Sequence, residues 1–193
     1  MEKIQLPPQP PEVTLPVVIA GSLIHRRENY MTLGAFGIMS LQPPIVYISS
    51  MKSHYSNEGI RETGFFSVNI PPAELVQKAD FCGLVSGRDV DKSGIFTTFY
   101  GNERSAPMIE ECPINFVCRV IRTVDLPYNE VFIGEVIEYY ASTECLDDDK
   151  PDPDKINPMV LAGPSYRSLG PAAGVAFGEG RAYRARLKRE RSG

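Results

Sequence analysis

The chain of 193 residues contains no tryptophan and only two histidines, His25 and His54. That scarcity argues against a His-rich metal site, so no metal ligands are assigned. The four cysteines, Cys82, Cys112, Cys118 and Cys145, form no C-x-x-C pair, which excludes a zinc ribbon or thioredoxin motif. Few cysteines and no export signal at the start, "MEKIQLPPQPPEV", point to a cytoplasmic protein with reduced thiols. No apolar run approaches the roughly 20 residues that span a bilayer, so no membrane partner is expected. A dinucleotide fingerprint is missing too: Gly178-Glu-Gly180 lacks its third glycine, with Tyr183 in that place. Neither a Walker A loop nor a G-x-S-x-G elbow occurs. The run "DDDKPDPD" (147–154) lacks the glycine and terminal glutamate of a calcium loop.

What is present describes a globular chain. Hydrophobic residues make up 42% and charged residues 23%. The length suits one domain, 1–193, with room for a core and a bound cofactor. A net charge of −4 argues against a whole-domain nucleic-acid binder.

Residues 1–16 carry five prolines and read as an extended arm. Short runs rich in Val, Ile, Phe and Tyr follow, at 16–24, 30–41, 44–50, 65–70, 113–126 and 130–142, with a weaker one at 159–163. Helical signals are few. "SNEGIRETG" offers Ser56 as N-cap and Gly64 as stop, and "PAELVQKADF" opens on Pro72. Many strands with two or three short helices suggest a small β-barrel or sandwich with helical insertions. Residues 144–158 are acidic, proline-broken and read as an exposed loop. The tail from 177 to 193 is basic and reads as a solvated helix or frayed end.

Three stretches draw chemical interest. "SSMKSHYSNEGIRETGFFSVNIP" (49–71) places Ser50, Ser53 and Ser56 with Lys52 and His54 between a strand and a helix start. Free backbone N–H groups and the helix dipole make such a junction suit an anion. The bland reading, an N-cap and a surface lysine, is the more frequent one for such a stretch alone. "FCGLVSGRDVDKSG" (81–94) adds two glycines that admit close backbone approach, and Lys92, a point charge for phosphate. By itself it reads as a polar turn between elements. In "ENYMTLGAFGIMS" (28–40), small residues recur along a strand, as expected where a flat group lies against it or where a barrel packs tightly.

Together these stretches resemble the flavin reductase-like family with its FMN-binding split-barrel fold, most closely its flavoredoxin group. The matching residues are Asn29-Tyr30-Met31-Thr32, Pro43-Pro44-Ile45-Val46 leading to Ser49-Ser50, and His54-Tyr55-Ser56 with Ile60. Gly64 to Pro71, Cys82, Ser86-Gly87, Asp91-Lys92 and Phe132-Ile133-Gly134-Glu135-Val136 follow in order. The match covers about residues 12 to 140.

The resemblance implies a mainly β fold, a six-stranded Greek-key split barrel with a few short helices. It implies a homodimer with FMN near the subunit seam. Asn29, Met31 and Thr32 then face the ring, and Ser50, His54, Ser56 and Lys92 face the phosphate. Ser49, Ser86 and Gly87 complete the cofactor-binding set.

Two departures stand out. Ser93 replaces the family's frequent aromatic after Asp-Lys, and Asn129 stands near the place of a frequent histidine. The expected activity is hydride uptake from NADH or NADPH and electron transfer to a flavin or another acceptor that the sequence does not name. The alternative is a non-catalytic FMN-binding electron carrier. Flavin carries such chemistry itself, so no catalytic residue is assigned. Cys82 reads as a buried structural cysteine rather than a redox centre.

Overall fold

The computed structural model describes residues 1–191. In chain order the first half forms β1 (Leu15–Pro16), β2 (Val18–Ile24), β3 (Arg27–Leu33), β4 (Phe36–Leu41), β5 (Pro44–Met51), α1 (Ser56–Thr63), β6 (Phe65–Ile70) and α2 (Val76–Leu84). The short strands β7 (Thr98–Phe99) and β8 (Met108–Ile109) precede the long hairpin of β9 (Ile114–Asp125) and β10 (Asn129–Ala141). Then come β11 (Leu146–Asp147), β12 (Lys150–Pro151), α3 (Pro153–Ile156), β13 (Met159–Ala162), β14 (Ser165–Ser168) and α4 (Gly178–Glu190).

The principal sheet is antiparallel, in the order β3-β2-β6-β9-β10-β5-β4. β3 and β4 lie at its opposite ends, yet only Gly34 and Ala35 separate them in sequence. Two residues reach across roughly 10 Å at most. The sheet must therefore curl until its ends meet, and the fold is a split barrel. The same break divides the run 30–41 into two strands, so this sheet holds seven strands where six were expected.

The barrel interior takes alternate residues of each strand. Val18 and Ala20, Met31 and Leu33, Val46 and Ile48, Phe66 and Val68, and Phe116, Cys118 and Phe132 form one buried cluster. A second cluster lies on the outer face of β2 and β3. There Ile19, Tyr30, Ala79, Cys82, Phe96 and Met159 bury against one another and fix α2 across β3. β2 is thus covered on both faces, which is why it is buried almost throughout. α1 lies on β2 because residue 59 is glycine: a Cβ there would stand 2.4 Å from the Leu23 carbonyl oxygen. Gly64 ends α1 as expected, in the left-handed region at φ 74°.

Three local expectations change. Residues 144–158 are not a bare loop but a β11–β12 hairpin followed by α3, which Asp152 caps by accepting from Asp154 N at 2.9 Å. Ile156 explains this, because it enters the main core and anchors the segment. Pro72 stands at the N-cap of a 3₁₀ turn (Ala73–Leu75) that leads into α2, rather than inside the helix. The arm ends in β1, which pairs with β13 at the edge of a small three-stranded sheet. The basic tail is helical as α4, without a buried residue, and Ser192 and Gly193 lie outside the described residues. Among the described residues no helix is long and apolar enough to cross a membrane.

Candidate functional site

The second cluster positions three segments around one cleft of about 330 Å³. β3 presents Asn29, Met31 and Thr32. The β5–α1 link presents Met51, Ser53, His54, Tyr55 and Ser56, and the end of α2 with its following loop presents Cys82 to Gly87 and Lys92. Thr32 ties β3 to the helix by donating to the Ala79 carbonyl at 2.5 Å. α2 stops where Val85 becomes extended. Ser86 then turns the chain, its Oγ accepting from Arg88 N at 3.2 Å.

Lys92 is the main electrostatic feature. It is only 3% exposed, and its ammonium donates to the carbonyl oxygens of Tyr30 at 3.0 Å and Cys82 at 2.8 Å. Among the described residues no carboxylate pairs with it. Burial accordingly pulls its pKa below the ordinary lysine value. A buried cation without a counter-ion costs several kcal/mol, which an incoming anion would offset. A lysine has three donors and two are used, so one remains for a ligand.

His54 is held neutral by burial first and by the Lys92 charge second, both of which lower its pKa. Its Nδ1 lies 2.8 Å from Ser50 Oγ. Cys82 is buried, and that burial pushes its thiol up to about 11, against a smaller pull from Lys92. It stays protonated at neutral pH, as befits a packing residue.

Of the ten residues singled out in the sequence, eight line the cleft: Asn29, Met31, Thr32, His54, Ser56, Ser86, Gly87 and Lys92. Ser49 and Ser50 do not. Ser49 accepts from Asn129 Nδ2 at 3.1 Å on the neighbouring strand. Ser50 is fully buried behind His54, with Met31 Sδ 3.5 Å from its hydroxyl, so it bears on the cleft through those two side chains. Lys52 also turns away, pairing with Asp125 at 2.6 Å.

The helix-cap expectation for Ser56 is corrected. The cap position is Tyr55, without a side-chain cap bond, and Ser56 Oγ accepts from Asn29 Nδ2 at 2.6 Å instead. Asn57 N and Glu58 N turn back onto the carbonyls of His54 and Tyr55. Side chains and Lys92, more than free helix amides, therefore make the anion-attracting end.

The sequence assigns no site role to Tyr55, named only as part of a matching motif, or to Arg88. The Arg88 guanidinium lies 4.8 Å from the centre of the Tyr55 ring, donates to the Ser53 carbonyl at 3.1 Å and pairs with Glu58. It straps the 85–92 loop to the start of α1. No local pattern marks such a bridge between segments thirty residues apart.

Residues 12–170 match the flavin reductase like domain. The chain belongs to the flavin reductase like family. Flavoredoxin from Methanosarcina acetivorans is 42% identical, with a TM-score of 0.92 over 95% of this chain and 100% of that one. Flavoredoxin of Desulfovibrio vulgaris (Miyazaki F) is 30% identical, with a TM-score of 0.84 over 93% and 100%. An FMN-binding protein from Thermus thermophilus shares the fold at 18% identity and a TM-score of 0.77, over 91% and 98%.

The family binds flavin, and the residues present suit such a group. A buried ammonium without a carboxylate partner lines the cleft, held to the β3 backbone at Tyr30, and the same strand presents Asn29, Met31 and Thr32 to it. Gly87 packs so closely that a Cβ would stand 2.1 Å from Asn29 Oδ1. The backbone there lies flush with the cleft wall.

Proposed function

We propose that this chain is an FMN-dependent flavoprotein of the flavin reductase type, which takes hydride from NADH or NADPH and passes electrons to a flavin or other acceptor. The observation that carries the reading is Lys92, a buried cation without a carboxylate, which lines the cleft beside the β3 side chains Asn29, Met31 and Thr32. FMN brings a phosphate of about −2 charge at neutral pH, which matches that cation. Lys92, Ser56, Ser86 and His54 would hold the phosphate end, and Met31, Thr32 and Asn29 the ring end. When bound, FMN supplies the hydride and electron chemistry itself.

The chain's own residues bind, orient and exclude water. His54 accepts or donates a hydrogen bond as a neutral imidazole kept in place by Ser50. Nothing here requires a protein acid or base; holding donor and ring in contact supplies the rate advantage. The four cysteines are all free thiols, which suits a cytoplasmic setting.

The homodimer is part of the proposal. β4 is an edge strand, and Ile38, Met39 and Leu41 on it are exposed large apolar side chains, with Ile121 and Tyr139 on the strands of the same sheet. Exposed apolar surface of this kind suits a partner subunit.

The test is direct. The purified protein is expected to be a yellow dimer that bleaches on anaerobic addition of NADH or NADPH. A colourless monomer, still colourless after incubation with excess FMN, would sink cofactor and assembly together. A yellow protein that neither nucleotide bleaches would be the non-catalytic electron carrier.

A further inference from the structure

Ser50 lies behind the cleft wall and touches two side chains that line it, His54 and Met31. We propose that Ser50 is a positioning residue that lets the neutral His54 ring change tautomer, from Nδ1–H in flavin-free protein to Nε2–H when a phosphate dianion binds. His54 then serves the anion as a neutral donor. This rests on the reading that the flavin phosphate binds beside Lys92.

The geometry leaves one ring nitrogen for each side. His54 lines the cleft, while its Nδ1 lies 2.8 Å from the Oγ of the fully buried Ser50. Nε2 is the nitrogen left to the cleft, and nothing among the described residues bonds to it. A serine hydroxyl has one proton to give and can accept two. That proton has two other destinations, Met31 Sδ and the Met51 carbonyl oxygen, each at 3.5 Å. Both are weak, because a thioether is a poor acceptor and 3.5 Å is long for an O–H···O bond.

In flavin-free protein these contacts favour the proton on Nδ1. Nδ1–H then donates to Ser50, and the hydroxyl proton still finds Met31 Sδ, so two bonds form. With the proton on Nε2, the hydroxyl turns to Nδ1 and the sulfur receives none. Lys92 lines the same cleft, and its charge acts on this ring. A positive charge there favours a lone pair over an N–H on the cleft side.

A phosphate dianion reverses the balance. It only accepts, so a lone pair on Nε2 opposes it, whereas an Nε2–H bonds to it. An imidazolium would donate as well, but burial first and the Lys92 charge second disfavour it. The neutral route costs no charge. The ring gives its Nδ1 proton to water and takes one from water at Nε2, while the Ser50 hydroxyl rotates from Met31 Sδ onto Nδ1. No heavy atom has to move. Without Ser50, Nδ1 would lose its hydrogen-bond partner in both tautomers.

The chain has only two histidines, which makes the ring protons easy to follow. Long-range proton–nitrogen NMR spectra of isotope-labelled full-length protein at about pH 8 distinguish the two tautomers and the imidazolium. His25→Asn, at an exposed left-handed turn position that asparagine tolerates, assigns the signals. Flavin-free and riboflavin-loaded protein are expected to show Nδ1–H, and FMN-loaded protein Nε2–H. Ser50→Ala is expected to weaken FMN binding about three- to tenfold, the worth of one neutral hydrogen bond, and riboflavin binding by less than about twofold. The same tautomer with and without FMN, an imidazolium with FMN, or a switch that riboflavin also produces overturns the inference and leaves the flavin reading in place. So does a Ser50→Ala protein that binds FMN as tightly as the parent chain, or that loses riboflavin equally. A chain that takes up neither flavin overturns the functional reading, and this inference with it.

Discussion

Asn29 on β3 donates from Nδ2 to Ser56 Oγ on α1 across 2.6 Å, and both residues are buried. The bond joins two of the three segments that build the cleft. Gly87, from the third, lies against the same Asn29 amide. Three stretches of sequence thus converge on one side chain.

Gly87 admits no side chain. A Cβ there would stand 2.1 Å from Asn29 Oδ1 and 2.9 Å from Tyr55 Cδ1. Asn29 cannot swing away without giving up Ser56. Gly87→Ala is expected to cost about 1–3 kcal/mol of stability through overpacking and to weaken flavin binding. Thermal unfolding and FMN titration of the variant check this; an unchanged midpoint with unchanged affinity would show that the loop relaxes freely.

Lys92→Ala should weaken FMN binding about ten- to a hundredfold, since a charge-assisted contact is worth roughly 1.5–3 kcal/mol. Riboflavin has no phosphate, so its affinity should hardly change. The contrast separates a phosphate contact from general damage, which matters because Lys92 also satisfies the Tyr30 and Cys82 carbonyls. Equal weakening of both flavins, or of neither, would remove Lys92 from the phosphate site.

Stability should respond to His54. Burial and the Lys92 charge lower its pKa in the folded protein from the ordinary 6.5. As pH falls through 6.5 the unfolded chain takes up a proton that the folded one refuses. The contribution of His54 is thus complete above that pH, is lost as pH falls below it, and stops changing once the folded form is protonated too. Urea midpoints of flavin-free protein between pH 7.5 and 5 should fall, and His54→Gln should remove part of that fall. An identical slope in the variant would show that other groups cause it.

The basic tail is expected to be dispensable for flavin. α4 carries no buried residue, and none of its side chains lines the cleft. Truncation after residue 180 should leave FMN affinity within about threefold, below roughly 1 kcal/mol. Loss of flavin on truncation would show that the tail closes over the site.

Much of this protein is determined by its sequence alone. Alternating Val, Ile and Phe in 65–70 and 114–125 can bury one side only as strands, and Gly64 ends α1 because few other residues adopt its left-handed backbone cheaply. The eight cleft residues were legible through the resemblance of three short stretches, taken in order, to a known family; each stretch alone reads as ordinary turns and packing. What tertiary structure decided is how those stretches meet. Ser50 alternates into the barrel and reaches the cleft only through His54 and Met31, whereas Ser56 becomes the partner of Asn29, twenty-seven residues away. Lys92 and Lys52 look alike as letters. One is buried against two carbonyls and the other pairs with Asp125 at the surface, because burial and counter-ions arise only when distant segments pack together.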